Sequence, residues 1–367
     1  MKIVMTLDAV GGVWQHALDL ARGLRERGAS VVLAGLGPRP DPDRMAAAHA
    51  IAPVEWGDAP LDWLARSPRD LAPVAPWLDC VAARHRAEVL HLNLPTQAVG
   101  LTCGLPVLAM SHSCLATWFA AVRGTDVPPD LAWQRDLTAR GLRAAGAVAA
   151  PSRAHADALV RCYGPLPGLV VVPNSSRAPP PPPAGPRHDR IVAVGRWWDD
   201  GKNGAVLDAA AACTDWPVQM IGALTGPNGA ALCPAHAQQA GAQQAGALSH
   251  RDTLAAIARA GIFCAPSLYE PFGLAVLEAA RAAVPLVLAD IPTFRELWHD
   301  AAVLVDPRDP QALAAALNAL ARDPAGRARL GARARARAAG LTCDAQVDAM
   351  LRLYRHLART PVPSITG

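Results

Sequence analysis

The feature that most constrains this chain is a run of five prolines at residues 179–183, flanked by Ala178, Ala184, Gly185 and Pro186. Prolines lack backbone donors and fix φ, so the run joins neither a helix nor a sheet and reads as a stiff polyproline connector on the surface. Folding must therefore proceed on either side of it. At 367 residues the chain is also too long for one ordinary core. The expected division is an N-terminal domain over 1–173, a Pro-rich hinge over 174–187 and a C-terminal domain over 188–342. A final helix and tail, 343–367, is expected to pack toward the N-terminal domain.

Each side of the prolines repeats one alternation. The apolar run 3–5 leads into the glycine-bearing loop 8–12, an amphipathic helix over 13–27 and a second apolar run at 31–34. Apolar runs at 89–92 and 107–110 follow, among helical patterns over 74–86, 131–145 and 153–163. Beyond the prolines, strands are expected at 191–194, 218–221, 262–265, 286–288 and 303–305. Helices are expected over 204–213, 252–260, 310–321, 325–339 and 344–358. Continuous apolar strands alternating with helices predict parallel sheets covered on both faces. The fold class is α/β, two Rossmann-like doubly wound domains facing across a cleft, and ligands of such sheets sit at the carboxyl ends of the strands.

The stretch 269–278 carries two carboxylates, Glu270 and Glu278, in an otherwise apolar run broken by Pro271 and Gly273. With Pro271 read as the first helical residue, Glu270 lies just outside the helix and Glu278 leans back along it. Unpaired N–H groups at Phe272, Gly273 and Leu274 would then form an anion site. An anion with hydroxylated groups on either side describes a nucleotide sugar.

Net charge is only +4, with arginines and acids interspersed, which argues against a nucleic-acid partner. Only two lysines occur, Lys2 and Lys202, so Lys202 stands out. It shares the loop after the strand at 191–194 with Arg196, and the pair can converge on one phosphate. Alternatively the two are surface cations matched by Asp199 and Asp200. Trp197 and Trp198 in that loop either stack on a base or acceptor ring or pack between domains. The basic stretch 327–337 reads as a solvated helix face, with peripheral contact to an anionic membrane as the other reading.

These motifs resemble the donor site of the family 4 retaining glycosyltransferases of GT-B fold, the glycosyltransferase group 1 type. Gly195-Arg196, Lys202-Asn203 and Glu270 with seven residues before Glu278 carry the resemblance. Residues 150–156, 172–174 and 11–13 are similar to other landmarks of that family. The resemblance implies that Arg196 and Lys202 hold the donor diphosphate and Glu278 the ribose hydroxyls. It implies that Glu270 contacts the donor sugar beside Phe272, Gly273 and Leu274, that Ser249 lies where backbone groups meet the base, and that His112 touches the sugar. Transfer with retention and without a metal or other cofactor is implied too. The acceptor hydroxyl would attack from the leaving-group face, with a UDP-sugar as the favoured donor.

In the first half, Gly11 and Gly12 open a helix and let backbone approach a ligand closely. The glycine spacing is not GxGxxG and no acid ends the second strand, which disfavours a dehydrogenase. His91 and Asn93 end a strand and are candidates for an acceptor pocket. Trp118 and Arg123, in a stretch read as a loop over 115–129, are further candidates. His16 is read equally as structural or functional. The acceptor itself, a saccharide, a lipid-linked sugar or a small molecule, has no signature. Scattered cysteines without metal-ligand spacing suggest reduced core thiols, and the absence of a leader or an apolar run of about 20 residues suggests a cytoplasmic protein. A sugar-nucleotide epimerase of the same architecture and a non-catalytic sugar-nucleotide-binding protein are the alternatives.

Overall fold

The computed structural model describes residues 1–177, 187–239 and 248–359. The polyproline run and the tail beyond 359 lie outside the described residues. Within them the chain divides into two units, Met1–Ser175 with the last helix from Cys343, and Ser176–Thr342.

The first unit is built on a parallel sheet whose strands, in chain order, are β1 (Lys2–Leu7), β2 (Ser30–Gly35), β3 (Val54–Trp56), β4 (Val89–Leu92), β5 (Val107–Met110), β6 (Ala147–Ala150) and β7 (Leu169–Val171). Their spatial order is β3-β2-β1-β4-β5-β6-β7. Strand order therefore reverses between β1 and β4, where a doubly wound sheet leaves a crevice at its carboxyl edge. β4, β5 and β6 are buried along their whole length, because helices cover both faces. Helix Gly12–Glu26 buries Ala17, Leu18, Leu20, Ala21 and Leu24 against β1 and β2. The last helix, Cys343–Arg359, belongs to this unit and adds Val347, Met350, Leu351, Tyr354 and Leu357 to the same core. Residues 115–122, read from sequence as loop, form helix Leu115–Val122 instead, with Ala116, Thr117 and Val122 turned inward.

The second unit has a parallel sheet of β8 (His188–Val194), β9 (Val218–Ile221), β10 (Gln238–Gln239), β11 (Ala260–Ala265), β12 (Leu286–Ala289) and β13 (Ala302–Val305), in the order β10-β9-β8-β11-β12-β13. The reversal here lies between β8 and β11. One core layer gathers Phe263, Leu277, Phe294 and Trp298, and the other Ile191, Leu207, Ile262 and Leu317. Arginines close several helix ends: Arg187 donates to Ala258, Ala260, Ala282 and Ala283 carbonyls at 2.7–3.3 Å. Arg337 likewise donates to Glu296 and Leu297 carbonyls at 3.0 and 2.9 Å. Part of the basic stretch thus answers carbonyls left open where helices end. Among the described residues no disulfide forms, and the cysteines divide between one buried thiol, Cys264, and intermediate or exposed positions, so most are not the core thiols expected from sequence. No helix of the described residues is long and apolar enough to cross a membrane.

Candidate active site

In the second unit the two loops that carry the motifs leave β8 and β11, the strands on either side of the reversal. The first starts from a crowded backbone. Gly222, just past β9, has φ 124, and a Cβ there would press into the Gly195 carbonyl. That approach sets the exit of β8, from which Arg196 follows. Trp197 is 3% exposed; its N–H donates to Ala223 O at 2.9 Å and its Nε1 to Ile221 O at 3.0 Å. It packs within the unit's own core rather than offering a stacking face. Trp198 instead carries the Arg196 guanidinium over its ring at 5.6 Å.

Arg196 also donates to Asp199 Oδ2 at 3.2 Å, while the other oxygen of Asp199 accepts from Gly201 N at 2.9 Å. Gly201 O then accepts from Leu268 N at 2.9 Å and Tyr269 N at 3.2 Å, which stitches the first loop to the second. Asn203, left-handed at φ 59, reinforces the seam by donating to Pro266 O at 2.9 Å and Pro307 O at 2.6 Å. The consequence is a direct ion pair between Lys202 Nζ and Glu270 Oε2. Both side chains are partly buried, at 18% and 17% exposure, so solvent screens the pair only in part.

The helix after Glu270 starts later than the sequence suggested. It spans Leu274–Arg281, capped by Gly273 at φ 91, so Pro271 and Phe272 lie outside it. Gly273 is needed because a Cβ there would crowd Phe294 and Val276 in a conformation that L side chains rarely adopt. The first-turn N–H groups are those of Leu274, Ala275 and Val276, two positions further on than expected. Phe272 is 3% exposed and anchors the loop in the core.

Glu278 is 7% exposed, and its Oε1 accepts from Ser176 Oγ at 3.2 Å and His250 Nε2 at 3.0 Å. Neither partner was anticipated. Ser249 uses its Oγ as a helix cap, accepting from Asp252 N at 3.1 Å. That cap orients the first turn, on which His250 reaches Glu278; the Ser-x-x-Asp spacing was the available signal. Ser176 had none.

In the first unit Gly11 caps helix Gly12–Glu26 in an extended conformation, with no side-chain cap. Inside this helix, His16 is 1% exposed and neither ring nitrogen has a hydrogen-bond partner among the described residues. Its ring meets that of His112 edge-on, centroids 4.5 Å apart. His112, partly exposed after β5, bonds through Nε2 to Asn93 Oδ1 at 2.8 Å. His91 differs from expectation: it is 0% exposed, with Nδ1 on Tyr354 Oη at 2.5 Å, so it faces the core and not a pocket. Asn93, also proposed for the acceptor, is 2% exposed and committed to Thr6 and His112. Trp118 lies on the new helix and Arg123 caps its C-terminus, guanidinium over indole at 5.1 Å.

Burial drives all these imidazoles toward the neutral form. It pushes His16 down to about 4, His155 to about 4 and His91, with His16 beside it, to about 3. His112 is lowered well below its ordinary value by burial and then by His16, His91 and His155. A depressed histidine leaves the unfolded chain binding more protons below an ordinary value of 6.5. Stability from these rings is complete above that value and drains as pH falls toward 4. Each costs about 1.4 kcal/mol per pH unit in that window. The urea midpoint is therefore expected to fall steadily from about pH 7 to about pH 5, above the carboxylate range. A flat midpoint there contradicts buried neutral rings.

No group of three or more His, Cys, Asp or Glu side chains able to hold a metal occurs among the described residues.

Two family models match the chain: glycosyltransferase family 4 over residues 10–175 and glycosyl transferases group 1 over 231–337. The phosphatidyl-myo-inositol mannosyltransferase of Mycobacterium leprae is 28% identical over 355 residues, covering 87% of this chain and 86% of that protein. A glycogen synthase of Mycobacterium tuberculosis is 44% identical over 101 residues, a match that spans only 24% of its length. Among solved structures, sucrose-phosphate synthase from Thermosynechococcus elongatus superposes with TM-score 0.75 at 19% identity, over 96% of this chain and 98% of that one. The Anabaena protein HepE, solved with UDP and glucose, gives 0.73 at 18% identity over 96% and 99%. The fold is that of the GT-B glycosyltransferases. The first part of the chain thus matches the glycosyltransferase family 4 model and the second the glycosyl transferases group 1 model.

Proposed function

We propose that the chain moves a sugar from a nucleoside-diphosphate sugar, a UDP-sugar by preference, to an acceptor hydroxyl with retention and without a metal. The observation that carries this reading is the Lys202–Glu270 pair, held beside Arg196 and the start of helix Leu274–Arg281 at the reversal of the second sheet. Two cations and a helix N-terminus suit the charge that develops on a departing diphosphate. Glu270 holds Lys202 until the donor arrives and then meets the sugar. Glu278, its Oε1 occupied by Ser176 and His250, keeps Oε2 for the ribose hydroxyls. His112 meets the transferring sugar.

In the reaction, the bond from the anomeric carbon to the diphosphate oxygen breaks and a bond to the acceptor oxygen forms on the same face. The acceptor proton passes to the departing diphosphate, so no protein base is required. The UDP and glucose in the Anabaena neighbour support the choice of nucleotide. The acceptor is a saccharide, a lipid-linked sugar or a small polyol, in keeping with the inositol-bearing names of relatives.

The test is incubation with UDP-, GDP- and ADP-sugars in EDTA, with and without mixed sugar and inositol acceptors, followed by product analysis. Nucleotide release that rises with acceptor, and an α-linked product from an α-linked donor, is expected. Strict metal dependence or an inverted product contradicts the mechanism, and an epimerised donor contradicts the transfer reading itself.

A further inference from the structure

Asn93 follows β4 at the reversal of the first sheet. Its Nδ2 donates to Thr6 O at 2.5 Å and its backbone N–H to Thr6 Oγ1 at 2.8 Å. Thr6 Oγ1 donates onward to Gln97 Oε1 at 2.7 Å. A backbone oxygen only accepts, so the Asn93 amide has one orientation: nitrogen on Thr6, oxygen on His112. The amide oxygen also only accepts, so the His112 nitrogen 2.8 Å away, Nε2, must carry the proton. Burial keeps the ring neutral, which leaves one ring proton, and Asn93 has it. Nδ1 is then a bare lone pair on a partly exposed ring, with His16 packed edge-on at 4.5 Å to hold the plane.

We propose that Asn93 is a positioning residue that fixes His112 as its Nε2–H tautomer, so that Nδ1 accepts a hydrogen bond from a hydroxyl of the transferring sugar. This rests on reading His112 as a donor-sugar contact, and it moves Asn93 from the acceptor to the donor side of the chemistry. A neutral acceptor of this kind pairs with a hydroxyl and repels a carboxylate. It therefore selects hexosyl donors over uronosyl ones.

The tautomer is read directly by long-range proton–nitrogen NMR of the protein labelled with 15N-histidine, the His112 signals assigned by their loss in His112→Gln. Protonated Nε2 with bare Nδ1 is expected at neutral pH; a protonated Nδ1 or an imidazolium overturns the proposal. In Asn93→Ala the Nε2–H signal is expected to shift and to exchange faster with water, and an unchanged signal overturns the positioning role. Kinetics supply a second arm, because asparagine places its amide near the old Nδ1 and glutamine near the old Nε2. His112→Asn is expected to keep roughly tenfold more turnover than His112→Gln, the worth of about one hydrogen bond; the reverse order overturns the proposal. If the unaltered protein transfers no sugar, the functional reading fails, while the NMR result still decides the tautomer.

Discussion

Lys202→Ala is expected to lower turnover by roughly two to three orders of magnitude, the usual loss when one preorganised donor to transition-state charge is removed. The physical reason is local. Lys202 is one of only two lysines in the chain, and the loop that bears it is tied to the Glu270 loop through Gly201 O and Asn203 Nδ2. Its ammonium therefore sits on a framework rather than on a free stem, and little reorganisation is needed as charge develops. Removal also leaves Glu270, 17% exposed, with an uncompensated charge. The expected signature is a large loss in kcat with a thermal midpoint close to that of the parent. Full turnover in Lys202→Ala removes the pair from the mechanism.

Gly222→Ala is expected to have the largest effect on the fold of the second unit. The substitution forces a side chain into φ 124 and its Cβ into the carbonyl of Gly195, backbone against backbone, so no rotamer relieves it. A loss of roughly 3 kcal/mol or more follows. The strand ends must part for the variant to fold, and Arg196 moves with them, so the surviving fraction is expected to turn over poorly. Gly229→Ala is the control: it shares a left-handed φ of 83 but has open space where the Cβ would go. Its cost is expected to be about 1 kcal/mol, from conformation alone. Equal losses in the two variants contradict the close approach of β8 and β9.

The same residues show how far the sequence alone could be read. Elements with strong periodicity, such as the strands around Val192 and Leu108 and the helix carrying Ala17 and Leu24, were legible because burial on a parallel sheet demands continuous apolar runs. Helix Leu115–Val122 was not, since Trp118 and Phe119 side by side break the apolar spacing that marks a buried face. Lys202 and Glu270 each stood out by their chemistry, yet 68 residues separate them and the seam through Gly201 and Asn203 makes them a pair. Ser176 and Glu278 are 102 residues apart, with no pattern to join them. His91 was misjudged for a different reason: period-two alternation says that a strand residue points to one face or the other, but not which face a late helix such as Cys343–Arg359 will cover. The start of the helix at Leu274 was displaced because Gly273 adopts φ 91, a choice that glycine permits but does not announce.

Calorimetric titration of UDP, in EDTA, into the unaltered chain and into Lys202→Ala tests the central claim most directly. UDP is expected to bind the unaltered chain without metal, and Lys202→Ala to weaken that binding by about tenfold or more through loss of a charged contact to the diphosphate. Failure of UDP, GDP and ADP alike to bind, or an affinity untouched by the substitution, would contradict it.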